Sequence, residues 1–184
     1  MNRDGLFPDA QMERASPVAM DLPYACHRRI LRHCRALRTL RRHVAECGQS
    51  LEAQMVSHVL LRFFDNEVPQ HYDDEEQDLF PALIHSMGGS EAAGLRELTR
   101  RAAEQHRALA AEWDRLRTPL EQVAAGRSIL LPSQDVEAFA RRWNEQIGRE
   151  EAGLLPMASR LLSGTELAVV HRRMQGCRRC FRAG

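Results

Sequence analysis

Residues 95–123 repeat apolar side chains at alternating three- and four-residue steps: Leu95, Leu98, Ala102, His106, Leu109, Trp113, Leu116, Leu120, Val123. That spacing is close to a heptad, and it suits a helix whose apolar stripe is buried against other helices. One ionisable residue, His106, stands in the stripe. Three more segments carry the same period. Residues 22–46 align His27, Ile30, Leu31, Cys34, Leu37, Leu40 and Val44, with Arg29, Arg32, Arg35, Arg38 and Arg42 on the opposite face. Residues 51–87 align Val56, Leu60, Phe64, Val68, His71, Glu75, Leu79 and Ala82. Residues 134–162 align Val136, Phe139, Trp143, Gln146, Ile147, Glu150, Leu154, Met157 and Leu161.

Punctuation between the segments fits helix ends. Gly48 follows the first, Gly88-Gly89-Ser90 the second, and a loop at 126–132 the third, with Ser133 placed to cap the fourth. Pro69, Pro81 and Pro119 each remove a backbone donor, so each predicts a kink, and Asn66 is placed to cap a restart before Pro69. Ser163 and Thr165 predict a short fifth helix over 166–175. The chain is therefore expected to be all-α, an up-down-up-down four-helix bundle with a short C-terminal helix. Its expected parts are a tail or strap at 1–21, the bundle at 22–164, and a helix and basic tail at 165–184.

Composition agrees and narrows function. With 184 residues the chain can bury one sizeable core. Aromatics are only 5 % and the charge of 26 basic against 25 acidic residues leaves +1, so no global attraction to nucleic acid or membrane is expected. No apolar run reaches membrane-spanning length, and the first residues lack the apolar core of a signal peptide. Five cysteines form no even disulfide framework, which points to the cytoplasm.

The chemistry gathers at His71-Tyr72-Asp73-Asp74-Glu75-Glu76. His71 and Glu75 lie one turn apart and share a face, inside a run of like charge that either solvent, on a plain acidic face, or a bound cation would relieve. His27, His106 and Glu150 each stand in one of the other three otherwise apolar stripes. Burying ionisable groups in a bundle core is costly unless they are paired or bound to metal. Imidazole with carboxylate suits iron, manganese or zinc. Glu150-Glu151 followed by Leu154-Leu155-Pro156 also echoes Glu75-Glu76 followed by Leu79-Phe80-Pro81.

With Cys26-His27, the Pro69-to-Pro81 block, Glu104-Gln105-His106-Arg107 and Glu150-Glu151 with Leu155-Pro156, residues 24–162 resemble the hemerythrin-like, HHE cation-binding family. The resemblance implies a bundle holding two non-haem irons, bridged by carboxylates and an oxo or hydroxo group, with one open position for dioxygen or nitric oxide. It implies His27, His71 and His106 as terminal ligands and Glu75 and Glu150 as bridges. One departure stands out. The family's fourth helix usually carries histidine four residues before its first glutamate, and here that residue is Gln146, a weak neutral ligand. Ala102 and Ala110 flank His106 one turn away, so no further imidazole is supplied there. Three histidines then serve two metals, which leaves open a water-rich iron, a single-metal site or an altered metal preference. Glu151 is an alternative bridge, and Asp74 a further carboxylate within reach.

His33, His43, His58, His85 and His171 fall off the stripes and are read as surface or rim residues, Cys34 as a buried hydrophobe, and Trp113 and Trp143 as core. Cys177 and Cys180 have dithiol or zinc spacing without two further ligands nearby, and the arginines around them are read first as a solvated, frayed end and second as a face for an unidentified acidic partner. Three functions compete: a di-iron protein that binds or senses dioxygen or nitric oxide; a di-iron enzyme that consumes peroxide or nitric oxide; and a metal-free helical interaction module with a decayed site.

Overall fold

The computed structural model describes residues 21–180. Of the tail expected at 1–21, residues 1–20 lie outside the described residues and Asp21 already belongs to a helix; 181–184 and the side chains of Cys177 and Cys180 also lie outside. No strand occurs among the described residues. Helix α1 (Asp21–Cys47) ends at Gly48, whose φ of +72° is the left-handed conformation that a helix terminus favours in glycine. Ser50 then opens α2 (Leu51–Arg62), its hydroxyl accepting from the Ala53 amide at 3.1 Å. The rod continues through α3 (Val68–Asp73) and α4 (Phe80–His85). After Gly88 come α5 (Gly89–Ala124), α6 (Ser133–Arg149), α7 (Leu155–Leu161) and α8 (Gly164–Cys180).

Helix α1 packs on α2 and α6, and α5 packs on the same two, so four rods close a ring. This is the all-α bundle the periodicity predicts. Helix α8 is longer than the expected 166–175 and lies against the turn that precedes α4. Its start is a reciprocal cap: the Glu166 amide donates to Ser163 Oγ, and the Ser163 amide donates back to the Glu166 carboxylate at 2.8 Å.

The prolines act differently from expectation. The rods do not stop and restart; they widen into π-helical turns at Phe63–Glu67, Asp74–Leu79 and Glu150–Leu154. In each, the residue just before a proline donates five residues back: Val68 to Phe63, Phe80 to Glu75, Leu155 to Glu150. A proline has no N–H for its own ladder bond and crowds the carbonyl four residues before it, so the ladder slips by one residue ahead of it. Asn66 caps nothing; its side chain donates to the Arg62 carbonyl. Pro119 lies inside an uninterrupted α5, and the residue that caps α6 is Pro132, with Ser133 already helical.

The core divides into two apolar clusters. One runs from Cys26 and Ile30 to Trp113, Phe139 and Trp143. The other gathers Leu79, Phe80, Leu83, Leu155, Ala158 and residues of α8. Between them lies a layer of buried polar groups.

Candidate metal centre

His27 comes from α1, His71 from α3, His106 from α5, and Gln146 from α6, while Glu75 and Glu150 sit in the two π turns that follow α3 and α6. All six side chains are buried, none more than 2 % exposed. One donor atom from each of His27, His71, Glu75 and Glu150 falls within 4.8 Å of the others.

Each glutamate divides its oxygens between two sides. Glu75 Oε1 lies 3.8 Å from His27 Nε2 and 3.8 Å from His71 Nε2, and its Oε2 lies 3.3 Å from His106 Nε2. Glu150 Oε2 lies 3.2 Å from His27 Nε2, and its Oε1 lies 3.3 Å from His106 Nε2 and accepts from the Gln146 amide. One side of the carboxylate pair thus holds His27 and His71, the other His106 and Gln146.

The second glutamate of each pair works from outside. Glu151, an alternative bridge in the sequence reading, instead accepts from His27 Nδ1 at 3.0 Å and is part-exposed. Glu76, which the sequence reading passed over, accepts from His106 Nδ1 at 2.8 Å. These contacts leave Nε2 of both rings facing the interior, the arrangement by which carboxylates orient metal-binding imidazoles. The signal for Glu76 was its place as the second member of the Glu-Glu echo. Tyr72 was also missed: its ring stacks on His106 at 4.3 Å between centroids and on Trp143 at 5.8 Å. Asp74 is buried as well, outside the group of four. Tyr72 and Trp143 also border a cavity of about 540 Å³ with Phe64, Trp113 and Phe139.

The electrostatics are those of a site made for positive charge. Burial pulls the His27 pKa down, but the close carboxylates of Glu150 and Glu75 outweigh it and raise it to about 10. The same balance raises His106 to about 10. Burial dominates at His71, which is lowered and stays neutral. Glu75 is held below the usual carboxylate range: burial works against it, and His71, His106 and His27 prevail. Neither ring nitrogen of His71 and neither oxygen of Glu75 has a hydrogen-bond partner, and Glu150 Oε2 and His27 Nε2 share that state. Buried polar atoms are seldom left so. Imidazole nitrogens and carboxylate oxygens converging in a dry interior fit a transition-metal cation, whose binding would satisfy them together.

The comparisons agree with the geometry. The chain is 27 % identical over 159 residues to an uncharacterized protein of Haemophilus influenzae, covering 86 % of this chain and 89 % of that relative. Among the described residues no helix is long and apolar enough to cross a membrane. The family model for the hemerythrin HHE cation binding domain matches residues 20–158, which include every buried donor of the layer, and the chain belongs to that family.

Proposed function

We propose that this protein holds a non-haem iron centre, up to two ions bridged by Glu75 and Glu150, and uses it to bind or sense dioxygen or nitric oxide. The observation that carries the reading is the division of both glutamates' oxygens between His27 and His71 on one side and His106 on the other. A carboxylate that faces two nitrogen donor sets is placed to bridge two cations. Iron(II) in such a setting supplies the affinity for a diatomic gas. His71, already neutral, and His27 and His106, once their extra protons leave, act as neutral nitrogen donors. Glu76 and Glu151 fix which ring nitrogen faces the interior. The apolar clusters above and below keep bulk water from the layer.

A second reading, consumption of peroxide or nitric oxide, draws on the amide at Gln146, which leaves a position open to exchange. Anaerobic iron(II) loading of the metal-free chain, followed by metal analysis and optical spectra under dioxygen and under nitric oxide, separates these readings. Stable, reversible spectral change supports binding or sensing. Catalytic loss of peroxide or nitric oxide supports the enzyme. Iron bound with no response to either gas overturns the proposal.

A further inference from the structure

The two sides of the carboxylate pair are related by the internal echo of the sequence. On one rod His71 precedes Glu75 by four residues and Glu76 follows; on the other Gln146 precedes Glu150 by four and Glu151 follows. The π turns close equivalently, with the Glu75 and Glu150 carbonyls each accepting from the residue before the proline. The outer glutamates are equivalent too, Glu76 on His106 and Glu151 on His27. One position breaks the equivalence. Where the His71 side offers two imidazoles, the Gln146 side offers one imidazole and an amide.

The geometry points to two unequal cation subsites that fill in order and differ in how strongly they select iron over manganese: a nitrogen-rich subsite of His27 and His71 that takes iron(II) first, and an oxygen-rich subsite of His106 and Gln146 that accepts manganese(II). This inference rests on the metal-centre reading above and adds the identity of the second ion.

Three features support it. The four donors that approach within 4.8 Å of one another are His27, His71, Glu75 and Glu150, all on the nitrogen-rich side or shared with it. Gln146 is 2 % exposed, and its amide contacts Glu150 Oε1, the same oxygen that His106 Nε2 approaches. Turning the amide about its last bond exchanges its nitrogen for its oxygen in that place. The second subsite then offers one nitrogen against carboxylate and amide oxygens. Iron(II) binds more tightly than manganese(II) to a given nitrogen-containing site, and oxygen donors suit manganese. A subsite with one imidazole fewer therefore discriminates less against manganese and binds either ion more weakly.

The full-length metal-free chain is titrated anaerobically with iron(II) in a calorimeter. It is then given one equivalent of iron(II) with excess manganese(II), desalted and analysed for both metals. The expected result is two binding events separated by roughly tenfold or more in affinity, and retention of one iron and one manganese per chain. Gln146→His is expected to draw the two events together and to replace retained manganese by iron when iron is in excess. Gln146→Glu keeps the side chain's length and is expected to tighten manganese retention, so the inference stays testable if the histidine variant fails to fold. Two events of equal affinity in the unmodified chain overturn it, as does retention of iron alone. Either result leaves the iron centre standing, whereas a chain that binds no iron(II) removes both.

Discussion

Replacing Glu75 by glutamine in the metal-free protein tests the electrostatic account of the layer directly. The substitution removes one charge and almost no volume, so it opens no cavity. Glu75 faces three imidazoles, at 3.8, 3.8 and 3.3 Å, from wholly buried positions. Without metal, His27 and His106 carry protons at neutral pH, since each is raised to about 10. The layer then sets the buried Glu75 carboxylate against two imidazolium ions. Removing one partner of a buried ion pair costs about 3–5 kcal/mol, because the other charge is left uncompensated. At about 2–4 °C per kcal/mol for a chain of this size, the expected fall in Tm at pH 7 is about 6–20 °C. The sign depends on pH. As pH rises through about 10 the imidazoles become neutral, Glu75 stands buried without a counter-charge, and the penalty for removing it disappears. Thermal unfolding of Glu75→Gln and the unmodified chain, both treated with chelator, checks this across pH 6–11. If the acidic run were a site of repulsion, the glutamine would stabilise the protein. A Tm at pH 7 equal to or above that of the unmodified chain refutes the paired layer.

Three further outcomes are expected. His27 and His106 have folded-state pKa values raised above the ordinary 6.5, so their stabilisation of the metal-free chain is complete below about 6.5 and is lost as pH rises to about 10; denaturant midpoints should fall over that window. The same protons must leave when metal enters, so calorimetry at pH 7 in buffers of different ionisation enthalpy should show about two protons released per chain. Glu76→Gln and Glu151→Gln should each weaken metal binding by about 10–100-fold, measured by chelator competition, while leaving the helical circular dichroism unchanged. Trp143→Ala, at a side chain 0 % exposed, should cost about 3–5 kcal/mol in denaturant unfolding.

The stripe of α1 was almost wholly legible: His27, Ile30, Cys34, Leu37, Leu40 and Val44 are buried, and Leu31 alone of those expected is only half-buried. In the second rod Val56 is only half-buried while Ala53 and Ser57 are buried, a miss that precedes any π turn; farther along that rod and in the fourth the agreement holds up to a definite point. Along α6 the expected stripe runs correctly through Glu150 and Leu154, then the structure buries Ala158 and Leu162 where Met157 and Leu161 were expected. Past Glu75 and Leu79 it buries Leu83 where Ala82 was expected. Both slips are of one residue, and both follow a π turn. A strict 3.6-residue period cannot register the residue that a π turn inserts. Leu98 is a separate miss: it is 45 % exposed while Thr99 is buried, its hydroxyl donating to the Leu95 carbonyl at 3.0 Å. A buried threonine that bonds its own helix looks polar in a sequence and behaves as a core residue. The inward donors were legible because each interrupts an apolar stripe. The outer glutamates were not, because a residue one step off the stripe reads as solvent-facing until the neighbouring helix is in place.

That outer placement explains why the Glu-Glu echo and the prolines belong together. Adjacent residues on an α-helix point about 100° apart, so Glu75 and Glu76 cannot serve one point in the core. They serve two helices instead. Glu75 enters the layer, while Glu76 reaches across to His106 on α5. On the opposite rod Glu150 enters the layer, and Glu151 reaches across to His27 on α1. Each two-glutamate step therefore places a carboxylate in the layer and also sets the ring orientation of a histidine contributed by a neighbouring helix. The proline six residues after the first glutamate slips the ladder so that this glutamate's carbonyl accepts the longer bond. The turn that widens is thus the one bearing the glutamate pair. A mutation at Pro81 or Pro156 that restored an unbroken α-helix would keep every donor in the sequence and still return the downstream stripe to the unshifted register, turning Ala82 or Met157 inward. The layer's geometry is consequently a property of those two slipped turns as much as of the histidines and glutamates.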